Sequence, residues 1–170
     1  KETETEQGGG KIKKTHYNGI EVEGIENCLV RLSKCCNPLP GDEIVGYVTR
    51  GRGISIHRTD CTNVVGMNDS DRNRLIEATW QAGAADNPMA CYSTELRIFC
   101  ANRTGMLFDV SKVLTEENIN VTAINSKSGT RSEKATFTVV FEIKTVDQLN
   151  RVINKLRQIP GVIDVERSIG

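Results

Sequence analysis

The run KATFTVVFEIK, residues 134–144, places Ala135, Phe137, Val139, Phe141 and Ile143 at every second position. A period of two belongs to a strand with one buried face, and so many repeats in phase leave no helical alternative. The flanking residues extend the pattern. STELRIFC (93–100) alternates Leu96, Ile98 and Cys100 with Glu95 and Arg97, which predicts another strand. From about Gly105 the period lengthens to that of a helix, with Leu107, Val110, Val113 and Leu114 on one face and Asp109, Lys112 and Glu116 on the other. Asn118 stands where this helix closes, because Asn is second to Gly in the left-handed closing position. INVTAINSK (119–127) reads as the next strand. Thr145-Val146-Asp147-Gln148 is a capping box, opening a helix that turns Val146, Leu149, Val152, Ile153 and Leu156 inward. Pro160-Gly161 break it, and VIDVERS (162–168) forms a last strand. The order predicts a ferredoxin-like βαββαβ domain over residues 92–170.

Residues 21–80 read as a second, smaller module, which makes the chain α+β. IENCLVRLS (25–33) is a strand with Ile25, Leu29 and Val30 among polar residues. EIVGYVTRG (43–51) and GISIH (53–57) are β-rich runs joined by the hairpin turn Gly51-Arg52-Gly53. RTDCTNVV (58–65) offers Thr59 or Asp60 as the cap of one or two helical turns, and RLIEATW (74–80) closes the unit. A module of about 60 residues is at the size where a staple is often needed. Residues 1–20 are charged, Gly-rich and almost without core residues, so they read as a disordered linker. Residues 81–91, small and containing Asn87-Pro88, read as a second linker that divides two separate cores.

The chain carries no net formal charge, which argues against a protein coated in nucleic acid but leaves local patches open. No apolar run approaches the ~20 residues of a membrane span. There is neither an initiating Met nor an apolar leader, so the expectation is a cytoplasmic piece of a longer chain, with no membrane partner.

The cysteines carry the chemistry. Cys28, Cys91 and Cys100 stand alone, whereas Cys35, Cys36 and Cys61 share a neighbourhood with His57. Zinc takes four N/S ligands tetrahedrally, and a structural site draws all four from protein. The His57–Cys61 spacing of four suits one helical turn, which would place both on one face. Adjacent cysteines point apart in a strand, so Cys35 and Cys36 converge only if the backbone turns, and NPLPG directly follows them. Three readings stand side by side: a zinc site, buried thiols beside a surface histidine, and a redox pair, whose bond between neighbours is cramped. A zinc ion here is structural and contributes on the order of 10 kcal/mol to so small a core.

Arg31, Lys34, Arg50, Arg52 and Arg58 surround this cluster, five bases against four acids between residues 25 and 65. They read equally as a solvated mixed face and as a face contacting RNA phosphates, with Arg50 and Arg52 at a Gly-rich hairpin tip.

CCNPLPGDEIVGYVTRGRGISIHRTDC, a short linker and a βαββαβ unit carrying NRTGML together resemble the C-terminal regulatory end of RelA/SpoT-type enzymes, the bifunctional (p)ppGpp synthetase/hydrolases of the bacterial stringent response. The resemblance covers about residues 21–170 and implies Zn(2+) at Cys35, Cys36, His57 and Cys61. It implies a parent GTP pyrophosphokinase whose N-terminal catalytic domains are missing here, so that this piece is not itself an enzyme. It further implies docking on ribosomal RNA, sensing of uncharged tRNA, and control of the catalytic half. The second domain resembles an ACT domain, which implies a possible homodimer and a branched-chain amino acid held near Asn102, Arg103, Gly105 and Met106. Gly105 would let backbone N–H groups approach a carboxylate, and the same loop reads equally as a plain strand-to-helix turn. An amino-acid-sensing or dimerisation module with a purely structural zinc unit is the competing function. The shared RNA-recognition topology is a poor fit, because Phe137 and Phe141 fall in the core phase.

Overall fold

The computed structural model describes residues 14–17 (backbone only), 19–24, 28–129 and 131–168. The expected linker over residues 1–13, and Ile25 of the expected first strand, lie outside these.

The N-terminal module is a six-stranded sheet in the order β1-β2-β6-β4-β5-β3, built from β1 (Lys14–Tyr17), β2 (Ile20–Glu23), β3 (Val30–Leu32), β4 (Ile44–Val48), β5 (Ile54–Arg58) and β6 (Leu75–Trp80). Among the described residues of this sheet, β3 with β5 is the parallel pair and the other pairings are antiparallel. Strand β1, paired with β2, lies inside the stretch that composition marks as linker. Backbone pairing with β2 places this stretch in the sheet. Ile20, Val22, Val30, Ile54 and Ile56 form the module's core. Leu29, expected in that core, is 62% exposed, because the strand begins one residue later.

β4 and β5 form the expected hairpin. Thr49 closes it, its N–H donating to Gly53 O at 2.9 Å and its hydroxyl to the same oxygen at 2.7 Å. Two short helices, α1 (Thr62–Val65) and α2 (Asp69–Arg72), lead into β6. The expected Thr59 or Asp60 cap is corrected: Cys61 occupies the position, without a side-chain hydrogen bond.

The C-terminal domain is β7 (Tyr92–Ala101), α3 (Met106–Glu116), β8 (Asn120–Ser128), β9 (Lys134–Ile143), α4 (Val146–Arg157) and β10 (Val162–Arg167), the expected βαββαβ order, with sheet order β10-β7-β9-β8. Leu96, Ile98 and Cys100 face across to Val139, Phe137 and Ala135, so the alternating residues of both strands fill one face. Asn118, at φ 55°, closes α3 as its position suggests. Ile119 N–H reaches Leu114 O at 2.9 Å and Asn118 N–H reaches Thr115 O at 3.0 Å, the paired bonds of a left-handed closure. The inward face of α3 is Met106, Val110 and Leu114, with Leu107 turned out. Thr145 caps α4 by accepting from Gln148 N–H at 3.2 Å, and Gln148 Oε1 reaches back to Lys144 N–H at 3.0 Å. Strand β8 sits at the sheet edge, where the helices leave all nine of its residues exposed.

The expectation of two separate cores fails at one residue. Leu39, from the N-terminal module, is fully buried in the core of the C-terminal domain. Among the described residues, no helix is long and apolar enough to cross a membrane.

Candidate metal centre

Cys35 and Cys36 lie in a turn after β3, where Asn37 N–H donates to Ser33 O at 3.1 Å. Asn37 takes φ 46°, a left-handed conformation that Asn tolerates better than most side chains. That reversal lets adjacent cysteines face one point. His57 comes from β5, and Cys61 follows a turn in which its N–H donates to Arg58 O at 3.1 Å. The expected shared helical turn is therefore corrected: a strand end supplies one ligand and the start of α1 the other.

Four of the six separations among the ligand atoms are close to the edges of a tetrahedral site. Cys35 Sγ lies 3.9 Å from Cys36 Sγ, 3.6 Å from Cys61 Sγ and 3.3 Å from His57 Nδ1, and Cys36 Sγ lies 3.9 Å from the same nitrogen. Bonds of about 2.3 Å to sulfur and 2.0 Å to nitrogen give edges of about 3.8 and 3.5 Å. All four ligand atoms fall within 4.8 Å of one another, so the cluster could hold one metal ion.

The electrostatics agree. Burial pushes the Cys36 and Cys61 thiols up and holds the His57 imidazole below its ordinary range. A neutral imidazole is the ligating form, and thiolates crowded out of water need a cation beside them. The Arg58 N–H, donating to Cys36 Sγ at 3.3 Å, offsets only part of that cost. An ion held by all four groups would have no open position, the structural rather than the catalytic arrangement.

Among the basic candidates, Arg31, Lys34, Arg50 and Arg52 are exposed. Arg58 is not. It is 7% exposed, donates to Asp60 Oδ2 at 2.6 Å and to Cys36 O at 3.5 Å, and so braces the cysteine turn instead of facing a partner. Gly53 (φ 78°) is required at the hairpin, since a Cβ there would lie 2.1 Å from Leu29 O. Arg74, which sequence reasoning passed over, stands one residue before β6 with its guanidinium carbon 5.8 Å from the centroid of the Tyr47 ring. A basic residue opening the run RLIEATW was the available signal.

The loop before α3 is fastened from several sides. Asn102 N–H donates to Glu133 O at 2.8 Å and its amide to Ser132 O at 3.1 Å. Arg103 donates to Pro160 O at 2.9 Å and pairs with Asp109 at 2.5 Å. Gly105 takes φ 82° at the helix start. Met106, named as a ligand contact, is instead packed in the core.

Residues 20–81 match the family described as the RelA/SpoT RIS domain, and residues 89–167 match the ACT domain family. Over 151 residues the chain is 38% identical to the GTP pyrophosphokinase of Escherichia coli (strain K12), a match covering 89% of this chain and 20% of that protein. It is 37% identical over 150 residues to the bifunctional (p)ppGpp synthase/hydrolase RelA of Mycobacterium tuberculosis (strain ATCC 25618 / H37Rv), covering 88% of this chain and 19% of that protein.

 The chain thus spans about a fifth of the length of the curated relatives it matches. Among solved structures, the ACT domain from the GTP pyrophosphokinase of Chlorobium tepidum is 24% identical, covering 46% of this chain and 99% of that one, with a TM-score of 0.42.

Proposed function

Because this chain belongs to the RelA/SpoT family as a C-terminal regulatory region, we propose that it is the ribosome-docking and control element of a GTP pyrophosphokinase with (p)ppGpp hydrolase activity. The catalytic domains to which it answers lie elsewhere in the parent chain. In this reading the N-terminal module holds a structural Zn(2+) through Cys35, Cys36, His57 and Cys61. Its exposed Arg31, Lys34, Arg50 and Arg52 contact phosphates of ribosomal RNA, with uncharged tRNA beside them. The reading is carried by the hairpin tip, which the Thr49 clamp fixes in place while Arg50 and Arg52 stand exposed on it. Arginines on a pre-ordered turn lose less freedom on meeting a phosphate, and their forked donors suit it. Cosedimentation of the zinc-loaded chain with ribosomes tests this, and no binding at low salt would overturn it.

A second reading, self-association through the ACT domain, is favoured by β8. This strand is at the end of its sheet and exposed along its whole length, with Val121 and Ile124 among its outward residues. Such an edge is open to pairing with a second copy. Sedimentation of the purified chain, with and without a branched-chain amino acid, tests that reading and the sensing role together.

A further inference from the structure

The segment between the paired cysteines and β4 is held from two directions. On the metal side, Cys36 receives the Arg58 N–H at its sulfur and the Arg58 guanidinium at its carbonyl. On the other side the same few residues enter the ACT domain. Pro38, Leu39 and Pro40 are buried, and Leu39 joins a core whose other members all lie between Leu96 and Val165. Pro40 O accepts the N–H of Val146, the first residue of α4, at 3.2 Å. That donor has no partner within its own helix, so the loop supplies the missing acceptor. Gly41, at φ 106°, lies so close that a Cβ would stand 2.5 Å from Val146 Cγ1. Asp42 turns its Oδ2 toward its own loop, accepting from Leu39 N–H at 2.8 Å, and its two carboxylate oxygens also accept bonds from Arg167 at 2.8 and 3.0 Å. Arg167 donates once more, to Asn37 O at 3.2 Å.

From this geometry we infer that the segment of residues 35–42 is a metal-dependent latch: filling the Cys35–Cys36–His57–Cys61 site and docking the ACT domain are one coupled equilibrium. The physical reason lies at Asn37. Two adjacent side chains converge on one point only while the backbone reverses immediately after them, and the reversal sets the direction in which Pro38, Leu39 and Pro40 leave the centre. Coordination fixes that direction. Without an ion between them these side chains attract one another weakly, and the turn loses the tie that aims Leu39 into its socket. Coupling of this kind is reciprocal, so residues of the ACT domain that touch no ligand must influence the affinity for metal.

The inference rests on the metal-centre reading, and its test separates the two. Zinc affinity is measured by chelator competition on the full 170-residue chain, as the natural sequence and as Arg167→Gln and Leu39→Ala. Amide hydrogen exchange is followed with and without zinc. The expected result is that removing zinc speeds exchange of the Val146 amide about tenfold or more, while the central amides of β7 and β9 stay protected. Arg167→Gln, with those central amides still protected, binds zinc about tenfold more weakly. Leu39→Ala shifts affinity in the same direction, and Asp42→Asn provides a third variant should Leu39→Ala fail to fold. Zinc bound at unaltered affinity by a folded Arg167→Gln chain, with Val146 exchange indifferent to metal, overturns the latch alone. A natural chain that binds no zinc overturns the metal-centre reading and the latch with it.

Discussion

Arg167, in the last strand of the ACT domain, grips Asp42 of the N-terminal module with both terminal nitrogens, Nη1 to Oδ1 at 2.8 Å and Nη2 to Oδ2 at 3.0 Å. The side chains are 13% and 9% exposed, so the pair is largely out of water and screened little by salt. Removing one partner strands the other's charge. Arg167→Ala is expected to cost about 3 kcal/mol in denaturant unfolding. Arg157→Ala, whose partner Asp164 is half exposed at 3.7 Å, is expected to cost under about 1 kcal/mol. Equal losses in the two variants would show that burial does not set the difference.

Leu39→Ala removes a fully buried side chain from a core that its own module does not contain. It is expected to cost about 2–5 kcal/mol. The loss should appear in the thermal unfolding of the ACT domain, followed through the amide signals of its paired strands β7 and β9. A melting curve for that domain unchanged by the substitution would contradict the shared core.

The ligand set makes a prediction about metal content. Elemental analysis should find about one zinc per chain in the natural sequence and almost none in Cys61→Ser, since three ligands hold zinc far less firmly than four. Cys91→Ser, at an exposed cysteine away from the cluster, should leave the content unaltered.

Charge reversal at the hairpin tests RNA docking. Arg50→Glu with Arg52→Glu should weaken ribosome binding at least about tenfold, and the remaining binding should depend less steeply on salt, because fewer counterions are released. Folding stability should move by no more than about 0.5 kcal/mol, because neither side chain packs against the sheet. Unaltered ribosome affinity in a folded, zinc-loaded double variant would favour the self-association reading.

Thr145→Ala deletes the hydroxyl that accepts the Gln148 N–H at the start of α4. The expected cost is about 1 kcal/mol in thermal or denaturant unfolding. Thr145→Ser, which keeps the acceptor, should recover most of it.

The linear chain carries the elements of the ACT domain in its local pattern. The period-two run ending at Ile143, the left-handed Asn118 and the Thr145–Gln148 cap are local signals, and local sterics and hydrogen bonding enforce them wherever the chain goes. It also marked the four metal-ligand candidates, since no other cysteines stood near a histidine. Packing in three dimensions set how those four meet, through a reversal at Asn37 and a strand end at His57 in place of a helical turn. It also decided which bases face outward: Arg58 carries the same charge as Arg52, but its guanidinium is spent on Asp60 and Cys36 O. Leu39 was the least legible residue of all. One apolar side chain between two prolines has no period, so nothing in its neighbours says which core it will join. That choice depends on an apolar socket that starts at Leu96 and on Arg167, more than a hundred residues away, brought beside it only when both sheets have formed.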